Sequence, residues 1–458
     1  MQYDLIVLGG GPGGYLAAQR AGEAGLRTLL LEQNHIGGVC LNEGCIPTKT
    51  LLHAAKILDY CQNGKAYGVT CDNPVLHHET VLARKDRVVK KLVAGVNAGL
   101  KKSGVDVKLD RGVIAGRSAA GILVSAGGET FAGKRLVVST GSQPVAPPIC
   151  GLAEAMETGF ALFSGGLLQL RQVPERLVVI GGGVIGLEMA AYFAGAGSRV
   201  AIVELLPKIA GAIDAEISAV LQKSLERKGV VFHLQARAAR LEDGAVVVEQ
   251  DGLATRLPCD RVLLSIGRRA CIQDFGLEKL QAATGRAGIV IDGQCRSSVP
   301  DVYAVGDCTG RSMLAHTAYR QAEVAVNTIL GKPDRMRYDA IPSIIYTNPE
   351  VSTVGLTLEQ AVKAGHDAAA VTLPMSFSGR YVAENERGDG RCKLVFDRAR
   401  STLIGAHVVG GASSEFILSC GILIESEMTL SRMKELVFPH PTVCEIIREA
   451  IFQARLEG

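Results

Sequence analysis

The chain has 458 residues, too many for one ordinary core and enough for roughly three or four domains of about 100–200 residues each. A net charge of +3 with no long basic run argues against a nucleic-acid surface or an anionic-membrane anchor. With 54 glycines, 5% aromatics and no tryptophan, aliphatic side chains must fill the cores and tight turns must be frequent.

Met1-Gln2-Tyr3-Asp4 has no basic leader and runs straight into a strand, so it does not read as a signal peptide. The pattern predicts a strand over 5–8, the turn Gly9-x-Gly11-x-x-Gly14, a helix over 15–24, and a strand over 28–31 ending at Glu32. Cys40 and Cys45 follow in Gly37-Gly38-Val39-Cys40-Leu41-Asn42-Glu43-Gly44-Cys45-Ile46-Pro47-Thr48-Lys49. A strand end at 137–142 precedes Pro144, Pro147 and Pro148, which read as a linker. The first motif then recurs: a strand over 177–180, Gly181-x-Gly183-x-x-Gly186, a helix to about 196, and a strand over 200–203 ending at Glu204. Residues 177–197 are the longest apolar region, but Glu188 and six glycines there argue against a membrane span. Residues 262–268 repeat the strand-then-glycine pattern, and a further short strand is expected over 302–307, ending in Asp307. From about Tyr338 the character changes, and apolar segments at 392–396 and 403–409 suggest an antiparallel sheet with helices. The twelve cysteines show no secreted-domain spacing and fit mostly buried thiols in a reducing cytosol.

In both copies of the glycine motif the acid follows the first glycine by 23 residues. One such motif is weak evidence. Two, each between strand and helix with an acid at the same offset, are strong. The first glycine allows the turn, the second lets a pyrophosphate approach, and the third lets helix pack on sheet. The helix N-terminus offers free N–H groups to phosphate and the acid accepts from ribose hydroxyls. Two copies imply two dinucleotides.

A cysteine pair beside a dinucleotide site suggests two-electron thiol chemistry. In a regular helix their Cα atoms would lie roughly 8–9 Å apart, beyond the ~7 Å that a disulfide spans. The backbone between Cys40 and Cys45 is therefore expected to break from ideal helix, with Gly44 providing freedom and Pro47 in a helix's first turn. Glu43 brings a negative charge that would raise the thiol pKa values. No Cys/His pair with zinc-ligand spacing lies nearby. In the tail, His440-Pro441-Thr442-Val443-Cys444-Glu445 reads first as a capping box, Thr442-x-x-Glu445, opening the last helix.

The stretch from Gly37 to Lys49 resembles the redox-disulfide motif of the pyridine nucleotide-disulfide oxidoreductases, and the resemblance covers nearly the whole chain. It departs from the usual motif at Val39, Glu43 and Thr48, none of which supplies a reacting atom, and at Cys444, where serine is usual. The resemblance implies an α/β fold with two Rossmann-like dinucleotide-binding domains plus a C-terminal α+β dimerisation domain. The expected division is an FAD-binding domain over 1–147, an NAD-binding domain over 148–268, a central domain completing the FAD site over 269–337, and an interface domain over 338–458.

By the same resemblance FAD occupies the first fingerprint, Gly9, Gly11 and Gly14, with Glu32 on its ribose and Asp307 near the ribityl chain. Gly181, Gly183, Gly186 and Glu204 hold NAD, and Thr140, Gly141, Gly267 and His316 join the cofactor contacts. Lys49 and Glu188 are implied as an ion pair by the flavin; from the residues alone, Lys49 reads as a solvated helix face. Cys40 meets the substrate, Cys45 meets the flavin, His440 is the acid/base, and Glu445 orients its ring. The histidine is implied to act on the partner subunit's disulfide, which makes the enzyme a homodimer.

Glu204 favours NAD over NADP. A carboxylate about 4 Å from a 2′-phosphate costs on the order of 4 kcal/mol at an effective dielectric near ~20, less what solvent screens. Lys208 is the nearest cation and weak evidence for a phosphate site. The tail after Ile451 lacks the vicinal cysteines typical of mercuric reductases, and the Cys40–Cys45 pair is one that soluble transhydrogenases lack. The expected activity is NAD-linked reoxidation of dihydrolipoamide carried on the lipoyl protein of a 2-oxoacid dehydrogenase or glycine-cleavage system, in the cytoplasm, with no metal. Alternatives are another NAD(P)H-dependent disulfide or metal reductase, a flavin-dependent NADH oxidase, and a non-catalytic flavoprotein subunit; the intact Cys40, Cys45 and His440 set argues against the last.

Overall fold

The computed structural model describes residues 2–385 and 388–456. The chain divides into two compact units, each discontinuous in sequence. The first gathers the residues up to Thr50, Leu82–Val145 and Gly267–Arg337; the second gathers Leu51–Val81, Ala146–Ile266 and the residues from Tyr338 on.

The elements that begin the chain are β1 (Gln2–Leu8), α1 (Pro12–Glu23), β2 (Thr28–Glu32), α2 (Gly38–Asn42), α3 (Cys45–Asn63), α4 (His78–Lys102), β3 (Asp106–Leu109), β4 (Val113–Ser118), β5 (Gly121–Ala126) and β6 (Glu129–Val138). The first unit's sheet runs β3-β2-β1-β6-β5-β4, and the strand Val302–Ala304 also pairs with β6. β3, β2, β1, β6 and Val302–Ala304 are parallel, whereas β4, β5 and β6 form an antiparallel meander. Leu5, Ile6, Val7, Leu29, Leu30 and Leu31 are all buried, the unbroken aliphatic run expected of a parallel sheet covered on both faces. α1 buries a small-residue face, Gly13, Gly14, Ala17, Ala18 and Ala21. That face lets it lie close to the helix Ala315–Ile329: a Cβ on Gly13 would stand 2.9 Å from Val305 Cγ2 and 3.5 Å from Ala318 Cβ.

The second unit repeats the theme. Val231–His233, Arg199–Val203, Arg176–Ile180, Arg261–Leu264 and Ala161–Phe163 form a five-stranded parallel sheet in that order. The helix Val184–Gly195 buries Leu187, Met189, Tyr192 and Phe193 in a core with Ile202, Ile217 and Leu221. Leu51, Leu52 and Val81 join that core, and His78 Nδ1 meets the Tyr192 hydroxyl at 2.7 Å. From Ser343 on, five antiparallel strands run Ser343–Ile345, Val351–Gly355, Thr402–Val409, Arg391–Asp397 and Ala368–Pro374 in spatial order. The helices Ser413–Glu425 and Glu445–Gln453 supply Phe416, Ile417, Ile446, Ile447 and Ile451 to their core. Among the described residues no helix is long and apolar enough to cross a membrane.

Candidate active site

The two glycine turns agree down to single hydrogen bonds. Gly9 and Gly181 have φ of +98° and +106°, which a side chain rarely adopts. A Cβ on Gly14 or Gly186 would strike the carbonyl oxygen of Gly9 or Gly181. The middle glycines differ: Gly183 meets no atom within 4 Å of such a Cβ, and Gly11 only Gly38 Cα at 4.0 Å. Each middle glycine caps its helix with no side chain bonded to the first-turn N–H groups, which leaves those donors for an anion. Glu32 accepts from the Gly10 N–H at 2.6 Å and the Asn34 N–H at 2.7 Å; Glu204 accepts from Gly182 at 2.6 Å and Leu206 at 2.8 Å. Both carboxylates are thus fixed against their own turn, each oxygen keeping a lone pair for a ribose hydroxyl. Ser139 and Ser265 tie the loops down by donating to the Gly9 and Gly181 carbonyls at 2.7 and 3.0 Å. No motif spacing singles out these serines, although each directly follows a strand.

Cys40 and Cys45 flank a helix break, as expected. α2 ends at Asn42, Glu43 adopts φ −137° and ψ 10°, and α3 begins at Cys45. Gly44 is needed for space rather than for positive φ: a Cβ there would stand 3.0 Å from Val39 O and 3.4 Å from Val39 Cγ1. Val39 therefore packs against the break. Asn42, unremarked in the sequence, anchors α2 by donating to the Ile36 and Gly38 carbonyls at 3.1 and 2.9 Å. Thr48 Oγ1 donates to Gly44 O at 2.7 Å and fixes the first turn of α3.

Both sulfurs are free thiols here and share a side-chain hydrogen bond. That bond, then burial, then the charge of Cys45 push the Cys40 thiol well up, while Lys49 acts in the opposite direction. The Asp307 carboxylate adds to the rise. Glu43, expected to play that part, is exposed, where water screens its charge. Cys45 is the first residue of a 19-residue helix, whose positive dipole end favours negative charge. Tyr15 and Tyr319 meet hydroxyl to hydroxyl at 2.5 Å, and both phenols feel the charges of Cys40 and Cys45.

A third cluster lies beyond β6 in the same unit. Burial raises the Asp307 carboxyl, opposed by Ser142, whose hydroxyl donates to it at 2.5 Å, and by Arg268. Arg268 also clamps the Ser142 hydroxyl and carbonyl at 2.8 and 2.7 Å. Thr140 donates to Cys271 O at 2.6 Å, and Gly141 and Gly267 turn at φ +74° and +119°. His316 is exposed in the first turn of Ala315–Ile329.

In the second unit, Glu188 is buried at 3% exposure in an otherwise apolar helix and accepts from the Tyr346 N–H at 2.9 Å. His440 Nδ1 lies 3.1 and 3.2 Å from the two Glu445 oxygens. A carboxylate only accepts, so Nδ1 carries the hydrogen and Nε2 keeps a free lone pair. The imidazole is 78% exposed while Glu445 is 13% exposed, an oriented base at the surface. The capping box needs correction. Glu445 does accept from the Thr442 N–H at 2.8 Å, but the Thr442 hydroxyl donates to Pro439 O at 2.9 Å, and the helix starts at Glu445 itself. With its hydroxyl turned back, Thr442 cannot cap; the acid instead joins the loop to His440.

Residues 3–322 match the pyridine nucleotide-disulphide oxidoreductase family, and residues 341–451 match its dimerisation domain. The dihydrolipoyl dehydrogenase of Mycoplasma pneumoniae is 36% identical, with 99% of each chain covered. That of Chlorobaculum tepidum is 37% identical over 99% of this chain and 97% of its own. Among solved structures, the HOCl-induced flavoprotein disulfide reductase RclA from Escherichia coli superposes with a TM-score of 0.86 at 27% identity, over 99% of this chain and 100% of its own. With paired glycine turns, a dithiol at a helix start and a matching dimerisation domain, the chain belongs to the pyridine nucleotide-disulphide oxidoreductase family.

Proposed function

We propose that the chain is an FAD- and NAD-dependent dihydrolipoyl dehydrogenase. The observation that carries this reading is the dithiol itself: two hydrogen-bonded thiols across a helix break, one raised in pKa and the other at a helix N-terminus. FAD fits the first turn and NAD the second, because each offers an open middle glycine, uncapped N–H donors and a fixed carboxylate. Bound there, FAD would supply a two-electron acceptor for the dithiol and NAD a hydride acceptor for the reduced flavin.

In the oxidised enzyme Cys40 and Cys45 are a disulfide. A dihydrolipoyl thiol gives its proton to His440 Nε2, and the thiolate attacks Cys40 Sγ, breaking the Cys40–Cys45 bond. Cys45 leaves as a thiolate at the start of α3. The second lipoyl thiol then displaces Cys40, forms the lipoyl disulfide and restores the dithiol. Glu445 keeps the imidazole tautomer correct throughout.

The exposure of His440 supports a homodimer in which it serves the partner's dithiol. Val437, 96% exposed three residues earlier, and Leu418 and Ile422 on one face of Ser413–Glu425 supply an apolar surface for such an interface. The chain is proposed to divide into FAD, NAD, central and interface domains, and the gap between the two matched segments, 322 to 341, supports the last of these boundaries. The lipoyl group arrives on a carrier protein of a 2-oxoacid dehydrogenase or glycine-cleavage system in the cytoplasm; five of the twelve cysteines are buried, fewer than the sequence suggests.

Purified enzyme should be assayed with lipoamide, glutathione disulfide, Hg(II) and oxygen, each with NADH and NADPH. Fast lipoamide turnover with NADH is expected, and Cys45→Ser should abolish it. Fast turnover of another acceptor with none of lipoamide would overturn the assignment.

A further inference from the structure

A second pair of thiols lies outside the site. Cys61 is half-buried in the last turn of α3, and Cys71 is exposed in the segment that follows. Between them the chain folds back on the helix end. Gly64–Tyr67 forms a short 3-10 turn, Gly68 reverses direction at φ +76°, and the Val69 N–H donates to Gly64 O at 3.0 Å. A Cβ on Gly64 would stand 2.9 Å from Val69 O, so the return path is close. This fold-back carries Cys71, two residues past Val69, back toward the last turn of α3 that holds Cys61, and both belong to the same compact unit.

We propose that Cys61 and Cys71 are a second dithiol, which closes to an intrachain disulfide when the protein meets a hydroperoxide. Cys71 gives up its proton and its thiolate attacks the peroxide oxygen, breaking the O–O bond. Hydrogen peroxide thereby yields one water and a Cys71 sulfenic acid. Cys61 sulfur then attacks Cys71 sulfur; the S–S bond forms, the S–O bond breaks, and the Cys61 proton leaves in a second water. Two thiols are oxidised by two electrons, and the peroxide is reduced by two. The neighbouring Cys61 holds the Cys71 thiol above its ordinary pKa. Its thiolate is therefore scarce at neutral pH and oxidation accelerates with rising pH. The product ties the exposed segment carrying Val69 and Val75 to the end of α3. None of this depends on which substrate the Cys40–Cys45 pair serves.

The sequence makes the bond easy to read. Lys65 lies between the two cysteines, so trypsin separates residues 57–65 from 66–84, while Cys40 and Cys45 fall together in 28–49. The full-length, flavin-loaded protein is treated with hydrogen peroxide at neutral and alkaline pH, quenched with N-ethylmaleimide, and mapped by mass spectrometry without reduction. The expected product is 57–65 joined to 66–84, formed faster at the higher pH and reversed by dithiothreitol. Cys61→Ser and Cys71→Ser should each abolish it and keep the untreated wild-type turnover. The proposal fails if both thiols remain alkylated after the Cys40–Cys45 pair has been oxidised. It fails equally if Cys71 couples to Cys71 of a second copy. The wild-type map decides the matter even where a serine variant folds poorly.

Discussion

Glu204 shows what one residue decides and how much of that the sequence discloses. Its offset from Gly181 matches that of a ribose-binding acid. Its two bonds to the Gly182 and Leu206 N–H groups depend on the path of the turn, so no spacing rule reveals them. In the proposed NAD site they would hold the carboxylate against a 2′-phosphate, and a charge clash would follow. Glu204→Gln keeps an acceptor and removes the charge. The ratio of kcat/KM for NAD over NADP should fall by roughly 10–100-fold, below the unscreened limit because the side chain is partly solvated. An unchanged ratio would place discrimination elsewhere. Glu445 makes a second residue-level prediction. The Thr442 N–H first, and His440 after it, hold its carboxyl below the ordinary 4.5. A depressed carboxylate stabilises the fold fully above its unfolded pKa and loses that contribution as pH falls through the folded value. Glu445→Gln should therefore be less stable than wild type at neutral pH, with the two melting temperatures converging as pH falls below 4.5 and through the lowered folded-state value.

Among elements, the strand–turn–helix repeat was the most legible part of the chain because its glycines are dictated by backbone geometry rather than by packing partners. The same geometry separates glycines that serve the fold from glycines that serve the ligand. A Cβ on Gly186 strikes the Gly181 carbonyl and comes within 2.7 Å of Ser265 Oγ, so the helix Val184–Gly195 must move off its sheet. Gly186→Ala should cost several kcal/mol, about 3 or more by analogy with overpacked cores, and be seen as a lowered melting temperature. A Cβ on Gly183 meets nothing. Gly183→Ala should melt within about 1 kcal/mol of wild type, the N-cap cost alone, while the KM for NAD rises at least tenfold. Equal loss of stability in both variants would contradict this division. The helices α3 and α4 were less legible. Leu51, Leu52, His78 and Val81 pack with Tyr192 and Phe193, more than a hundred residues away, and no local periodicity encodes so distant a partner. Residues 51–81 consequently interrupt the first unit in sequence.

At the scale of the whole molecule, how the proposed acid/base meets the dithiol is a question of assembly. His440 is oriented by Glu445 yet 78% exposed, and Val437 beside it is 96% exposed, an arrangement that suits a partner surface better than open water. If each active site takes its cysteines from one subunit and its histidine from the other, two inactive variants can rescue each other. Cys45→Ser supplies a working His440 and His440→Ala supplies a working dithiol. In a mixed dimer one site combines both good parts and the other combines both bad ones. Co-expression in equal amounts makes about half the dimers mixed, so a preparation of C45S and H440A chains should show about a quarter of wild-type lipoamide turnover. Each variant alone should show almost none. Two different affinity tags, purified in sequence, isolate the mixed dimer, and its turnover should then approach about half of wild type. A mixed dimer as inactive as its parents would mean that His440 works within its own chain.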